Sequence, residues 1–324
     1  MDQLLVISNA SISGILDCYS NGGGTECIYK FDALGGLILL YIAFVVYCFV
    51  FAEVTGNYSK VDQIWSLTPI WYAWFAYAHW GHNNVGTGSH DRLFLVCSLI
   101  TLWGGRLTYN FWRRDGYGNL ITHEEDYRWP ILRKIINNKF LFTIFNATFI
   151  STYQNLILLL IALPAYHVMK SEKDINNFDI YLTILFLALF IMETIADQQH
   201  WNFQNKKYAC TPEQREVHPD KDVVDGFYRQ GLFRYCRHPN YFAEQATWVT
   251  IYLFTLSHTN ITSITDICNI YFLGAFLLIS LFQGSMAFSE GITASKYPVY
   301  KQYQKDVSQC IPFFNNENND KKRI

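Results

Sequence analysis

"ALGGLILLYIAFVVYCFVFA", residues 33–52, runs for twenty residues without one charge. As a helix it reaches about 30 Å, the thickness of a bilayer's hydrocarbon core. "IYLTILFLALFIMETIAD" (180–197) repeats the pattern, with its two acids at the far end. Outward from these two stretches, apolar windows predict spans at about 32–52, 61–80, 92–112, 141–168, 180–197, 241–256 and 264–285. The window "VDQIWSLTPIWYAWFAYAHW" (61–80) is weaker and 241–256 is short, so six spans remain an alternative to seven. Only 16% of the 324 residues are charged and 51% are apolar, against about 25% charged in soluble domains. Strand-like alternation of useful length is missing, and an open sheet edge fails in lipid. The expected fold class is all-α, a polytopic membrane protein of about seven packed transmembrane helices.

Seven spans would collect 20 of the lysines and arginines on one side and only Lys30, Arg92, Lys170 and Lys173 on the other, with Arg106 inside a span. Basic loops stay cytoplasmic, so this split predicts an inside C terminus and an outside N terminus. A net charge of −2, with acids interleaved in "HEEDY" (123–127) and "DKDVVD" (220–225), argues against a nucleic-acid partner. No basic stretch precedes an early apolar run, so the first span is expected to act as the anchor, not a cleaved signal. The eight cysteines lack metal-type spacing. Cys18 and Cys27 would share the outer side, and pairing and unpaired thiols both remain open. The terminal "KKRI" (321–324) looks like a di-lysine retrieval signal of endoplasmic-reticulum membrane proteins; a basic tail end is the plainer alternative.

Three segments are expected: a loose or lid-like outer segment at 1–30 with "NGGG" at 21–24, a transmembrane domain at 31–314, and a polar tail at 315–324. Two cytoplasmic loops, 113–140 and 198–240, are long enough to carry function. The second leads into "RYCRHPNYFAEQATW" (234–248). Pro239 cannot continue a preceding helix and Asn240 is a good cap, so a helix is expected to begin there. Its amides and dipole favour an anion, and Arg229, Arg234, Arg237 and His238 crowd the same end. Arginine suits phosphate oxygens, so the cluster predicts a site for a phosphorylated cofactor. Bases that meet anionic lipid headgroups are the alternative. Ionisable groups at membrane depth are costly and point to a buried site. Glu193, Asp197, Glu244, Asp62 and Arg106 are such groups, with Tyr109 beside the last; each alone is equally an interhelical polar contact.

"ADQQHWNFQ" (196–204), "GLFRYCRHPNYFAEQATW" (231–248) and "YPVYKQYQKDVSQCIPFF" (297–314) resemble the steroid 5-alpha-reductase C-terminal domain family. Within it they are most similar to the branch long listed as a domain of unknown function. "VDQIWSLTPIWYAW" (61–74), "TLWGGRLTYNFWRRDGY" (101–117) and "EEDYRW" (124–129) extend the likeness over most of residues 60–314. The resemblance implies a helical cavity open to the cytoplasmic side, NADPH as cofactor, and a steroid- or lipid-like enone arriving from the membrane. With the "KKRI" reading, the endoplasmic reticulum is the favoured location and another organelle membrane the alternative, and partner subunits in a membrane complex are allowed. Carried over by residue, it puts Asn240 at the nicotinamide, Asp197 on the cofactor and Arg229 at the phosphates. From their place at the helix entrance, apart from the resemblance, Arg234, Arg237 and His238 are expected to line the phosphate rim, with Tyr241 and Glu244 behind them. Tyr109 would donate to the substrate carbonyl, and Asp62 would stand for the family's partner glutamate. Glu290 replaces a tyrosine of the steroid enzymes, so steroid specificity does not carry over. Two rivals stand beside this reading. A methyltransferase using S-adenosylmethionine shares the RHP-x-Y helix entry, although "SEG" (289–291) lacks the adjacent glutamates usual there. A catalytically silent subunit that keeps the fold is the other.

Overall fold

The computed structural model describes residues 2–84, 90–118 and 125–312. The "KKRI" signal and the 315–324 tail lie outside them. In chain order the helices are α1 (Asp2–Ser20), α2 (Ala33–Thr55), α3 (Lys60–Ile64), α4 (Thr68–Asn83) and α5 (Asp91–Trp112). Next come α6 (Arg128–Ile136), α7 (Lys139–Phe145), a π-helical stretch (Asn146–Tyr153), α8 (Gln154–Ser171) and α9 (Asn177–Tyr208). The short α10 (Pro212–Glu216) and α11 (Lys221–Asp225) follow, then α12 (Pro239–Leu253), α13 (Ile264–Ile267), α14 (Phe272–Lys296) and α15 (Tyr300–Asp306). No strand occurs among the described residues.

Four helical stretches are long and apolar enough to cross a membrane, not seven: Ala33–Thr55, Lys139–Ser171, Asn177–Tyr208 and Phe272–Lys296. The other three windows fail for separate reasons. The 61–80 window breaks into α3 and α4, and Pro69 starts an α4 of 16 residues, about 24 Å long. The 92–112 window is long enough, but its helix buries Arg92, Arg106 and Asn110. The 241–256 window yields an α12 of 15 residues, short of the roughly 30 Å a bilayer core requires. The four long stretches carry exposed aliphatic faces compatible with a membrane protein. On α9, Ile184 is 59% exposed and Ile191 56%; on α2, Val54 reaches 80%.

The chain divides into two compact units. The first comprises Met1–Leu182 with Ile251–Ala275. Its N-terminal segment is not loose, because α1 buries Ser11 and Ile15 and packs against α2. The approach is close: a Cβ on Gly35 would stand 2.6 Å from Ser11 Cβ. Cys18 and Cys27 are joined as a disulfide, resolving the open alternative in favour of pairing. Asp32 caps α2 by accepting from Leu34 N at 2.9 Å, and also accepts from Tyr166 Oη at 2.8 Å and Lys170 Nζ at 3.0 Å. The interior of this unit is built where α4, α5 and α8 meet, with Tyr72, Val96, Ile100 and Ile157 sealed from solvent. Arg92 lies in the same interior, paired with Asp179 at 2.9 Å. A buried charge is tolerable only with such a partner and its hydrogen bonds satisfied. Arg92 donates further to the Ser171 and Ser257 hydroxyls at 3.2 and 2.6 Å.

The second unit comprises Thr183–Thr250 with Phe276–Ile324. Its aromatic core holds Phe227, Tyr300, Tyr303 and Val307, with Tyr297 packed against it. Lys207 is buried with its ammonium near the Phe203, Tyr208 and Tyr297 rings, and donates to Gly226 O at 3.1 Å. Cation–π contact and one carbonyl offset part of the loss of water around that charge.

Candidate functional site

In the second unit, α9 and α12 bring together residues 43 positions apart in the chain: Asn240 Nδ2 donates to Asp197 Oδ1 at 3.2 Å. Helix α12 starts at Pro239, two residues earlier than a cap at Asn240 implies, and proline is suited to that first helical position. Asn240 is therefore not the cap. It lies in the first turn, and its carboxamide reaches sideways to α9. Glu244, one turn on, is 4% exposed and accepts from Trp248 Nε1 at 3.1 Å, so it braces α12 from within. The preceding loop is pinned by Gln199, whose Oε1 accepts from Leu232 N at 3.0 Å. Gly231 makes that possible: its φ is +57° and a Cβ there would run into the Gln199 side chain.

The bases do not form an open phosphate rim. Arg237 has a side chain only 8% exposed and donates to both oxygens of Glu290, at 2.7 and 3.0 Å. Its remaining nitrogen donates to Gln304 O at 2.9 Å and to Val307 O. His238 Nε2 lies 2.9 Å from Glu290 Oε1, and its ring stacks on Tyr241 with centroids 5.3 Å apart. Backbone bonds from Arg237 and His238 to Ser308 and Gln309 complete the clamp on the C-terminal segment. Arg229 is likewise held by acids, at 2.8 Å from Asp222 and in contact with Asp225. Burial pushes the Asp222 carboxyl above the usual aspartate range while Arg229 pulls it back. The sequence expectation that Arg229, Arg237 and His238 face an incoming phosphate is corrected accordingly: each already has a carboxylate partner. Arg234 is exposed. The missed partner is Glu290, on α14, whose only signal in the sequence was that an acid stood where the steroid enzymes carry tyrosine.

In the first unit, Asp62 on α3 accepts from Trp129 Nε1 at 2.9 Å, and Arg128 lies 3.7 Å away. Burial pushes the Asp62 carboxyl up, with the Arg128 charge opposing. The "EEDYRW" stretch makes this arrangement: Asp126 N donates to Ser59 Oγ at 2.9 Å, and Tyr58 N to Glu125 at 3.0 Å. Tyr109 is 56% exposed, beside Trp112 and Arg113. Among the described residues no hydrogen bond links it to Asp62. The buried polar face of α5 instead carries Arg106 and Asn110, four residues apart and at most 8% exposed. That spacing, one helical turn, is legible in "RLTYN" (106–110).

The family model described as "Protein of unknown function (DUF1295)" matches residues 48–307. A relative from the fission yeast Schizosaccharomyces pombe, described as "Uncharacterized protein C594.04c", is 34% identical over 266 residues, covering 80% of this chain and 73% of its own. No solved structure matches the chain.

Proposed function

The chain belongs to this family of proteins of unknown function, and from that premise we propose a membrane-embedded, NADPH-dependent reductase of a conjugated carbon–carbon double bond in a lipid-like enone. The observation that carries the reading is the Asn240–Asp197 hydrogen bond. These are two of the three residues for which the family resemblance implies cofactor contact, and they come from different helices. NADPH, when bound, supplies hydride to the β-carbon of the enone. Asp197 fixes the Asn240 carboxamide, so its remaining donor and acceptor are oriented for an amide such as that of nicotinamide. Arg234 and the first-turn amides of α12 are the groups left for phosphate oxygens. Arg229, Arg237 and His238 build the frame behind them. Tyr109 and Asp62, both in the first unit, are the residues for which the resemblance implies a donor to the substrate carbonyl and its acidic partner. We assign the protein to an internal membrane, the endoplasmic reticulum first, with the C terminus cytoplasmic.

A second reading has its own support. The internal pairing of Arg229 and Arg237 with carboxylates suits a silent subunit that keeps the frame without turnover. Titrating the purified protein into NADPH and following nicotinamide fluorescence separates the two. The reductase reading expects saturable binding that Asp197→Asn weakens at least about tenfold, the loss of a charge-assisted hydrogen bond. Absence of binding by the wild type in lipid supports the silent subunit.

A further inference from the structure

The first unit carries a second concentration of polar groups, unrelated to the residues above. On α4, Tyr72 is 1% exposed and Thr68, one turn earlier on the same face, is 0% exposed. Neither hydroxyl has a hydrogen-bond partner among the described residues. Helix α8, which packs against α4, carries Asn155, also 0% exposed. Its Nδ2 donates to Ser151 O at 2.8 Å and to Cys48 Sγ at 3.4 Å, whereas its Oδ1 has no partner. Cys48 lies one turn along α2 from Phe44, whose ring packs edge-on against the Tyr72 ring. Asn155, Cys48 and Tyr72 thus converge where α2, α4 and α8 meet. The surroundings are apolar, with Phe44 edge-on to Tyr72 at 5.8 Å and Ala73, Ala76, Ile157 and Leu158 sealed. Buried polar atoms are nearly always bonded, so three without partners on helices packed together point to a bound group that supplies them.

Their chemistry selects it. Tyr72 and Thr68 offer O–H donors, and Asn155 Oδ1 can only accept. A carboxylate would be repelled by that amide oxygen. A ketone would satisfy the hydroxyls and leave Asn155 unmet. A hydroxyl accepts from Tyr72 and donates to Asn155.

We propose that Tyr72, Thr68 and Asn155 anchor the hydroxyl of an otherwise apolar lipid alcohol, independently of the reductase reading. The test reconstitutes the full chain in phosphatidylcholine nanodiscs with cholesterol or 1-hexadecanol, each compared with its oxygen-free counterpart, cholestane or hexadecane. At least one alcohol should raise the melting temperature above its hydrocarbon. Tyr72→Phe and Thr68→Val keep the shape and should not lower the melting temperature without alcohol, because no existing bond is lost. Each should weaken the alcohol's effect about tenfold in concentration, the scale of one lost hydrogen bond. Equal shifts from alcohol and hydrocarbon would overturn the proposal. So would an alcohol shift that survives Tyr72→Phe. Lower stability of both variants with no response to either alcohol would mean a buried water only.

Discussion

Arg237 donates to both oxygens of Glu290 where the two side chains are 8% and 5% exposed, so neither charge can lose the other without being left buried. Breaking such a pair from one side costs about 3–5 kcal/mol. Arg237→Ala and Glu290→Ala should each lower the melting temperature sharply, and the double variant should lose much less than the sum. Additive losses in that cycle would show that the pair is not coupled. Cys236, beside it, is 0% exposed, and burial pushes its thiol up to about 12. A maleimide at pH 8 should leave Cys236 unmodified in the folded chain while labelling the exposed Cys268, as read by peptide mass spectrometry. Modification of Cys236 at the same rate would contradict the packing of this segment. At this scale Asn240 and Asp197 were legible together, since each is a polar residue at the end of an apolar run. Arg237 was misread for a physical reason: a base at a helix entrance looks the same whether its partner is a ligand phosphate or an acid 53 residues away.

Helix α11 is capped by Asp220, which accepts from Asp222 N at 3.1 Å and pairs with Lys206 at 2.6 Å. The Lys206 hydrogen bond, ahead of the cap, holds the Asp220 carboxyl below its usual 3.8. A depressed carboxylate contributes stability that is present above that usual value and is lost as pH falls through the lower one. Amide exchange over residues 220–226 should therefore accelerate, relative to its intrinsic pH dependence, as pH drops below about 3.8. Asp220→Asn should exchange faster at neutral pH and flatten that response; an unchanged profile in the variant would remove Asp220 from the account. Element boundaries were only partly legible. The 33–52 and 180–197 runs fall within α2 and α9 because uninterrupted aliphatic sequence leaves no other option. The polar 1–30 segment hid α1, whose Ser11 and Ile15 are buried by packing on α2, a tertiary effect that composition does not display. The 61–80 window hid a break, because aromatic residues keep hydropathy high across the α3–α4 boundary.

For the whole molecule, the all-helical class and the long apolar helices followed from uncharged apolar runs together with the lack of strand-like alternation. The count of spans did not. Helices α4 and α5 pack one face on each other and on α8 while Trp71, Phe94 and Leu102 stay exposed, and a window average cannot tell protein from lipid as the apolar surroundings. The 20-to-4 charge split depends on strict alternation of seven spans, so orientation stands as part of the proposal, not as a reading of four helices. The central claim is that the second unit holds a nucleotide cofactor through Asn240, Asp197 and Arg234. A ligand that binds only the folded state raises stability by RT ln(1 + [L]/Kd). The most direct measurement is the melting temperature of the full chain in lipid nanodiscs with NADPH, NADH or S-adenosylmethionine at equal concentration. The account predicts a clear rise with NADPH, a smaller one with NADH, none with S-adenosylmethionine, and loss of the NADPH rise in Asn240→Ala. A rise with S-adenosylmethionine and none with NADPH would contradict it.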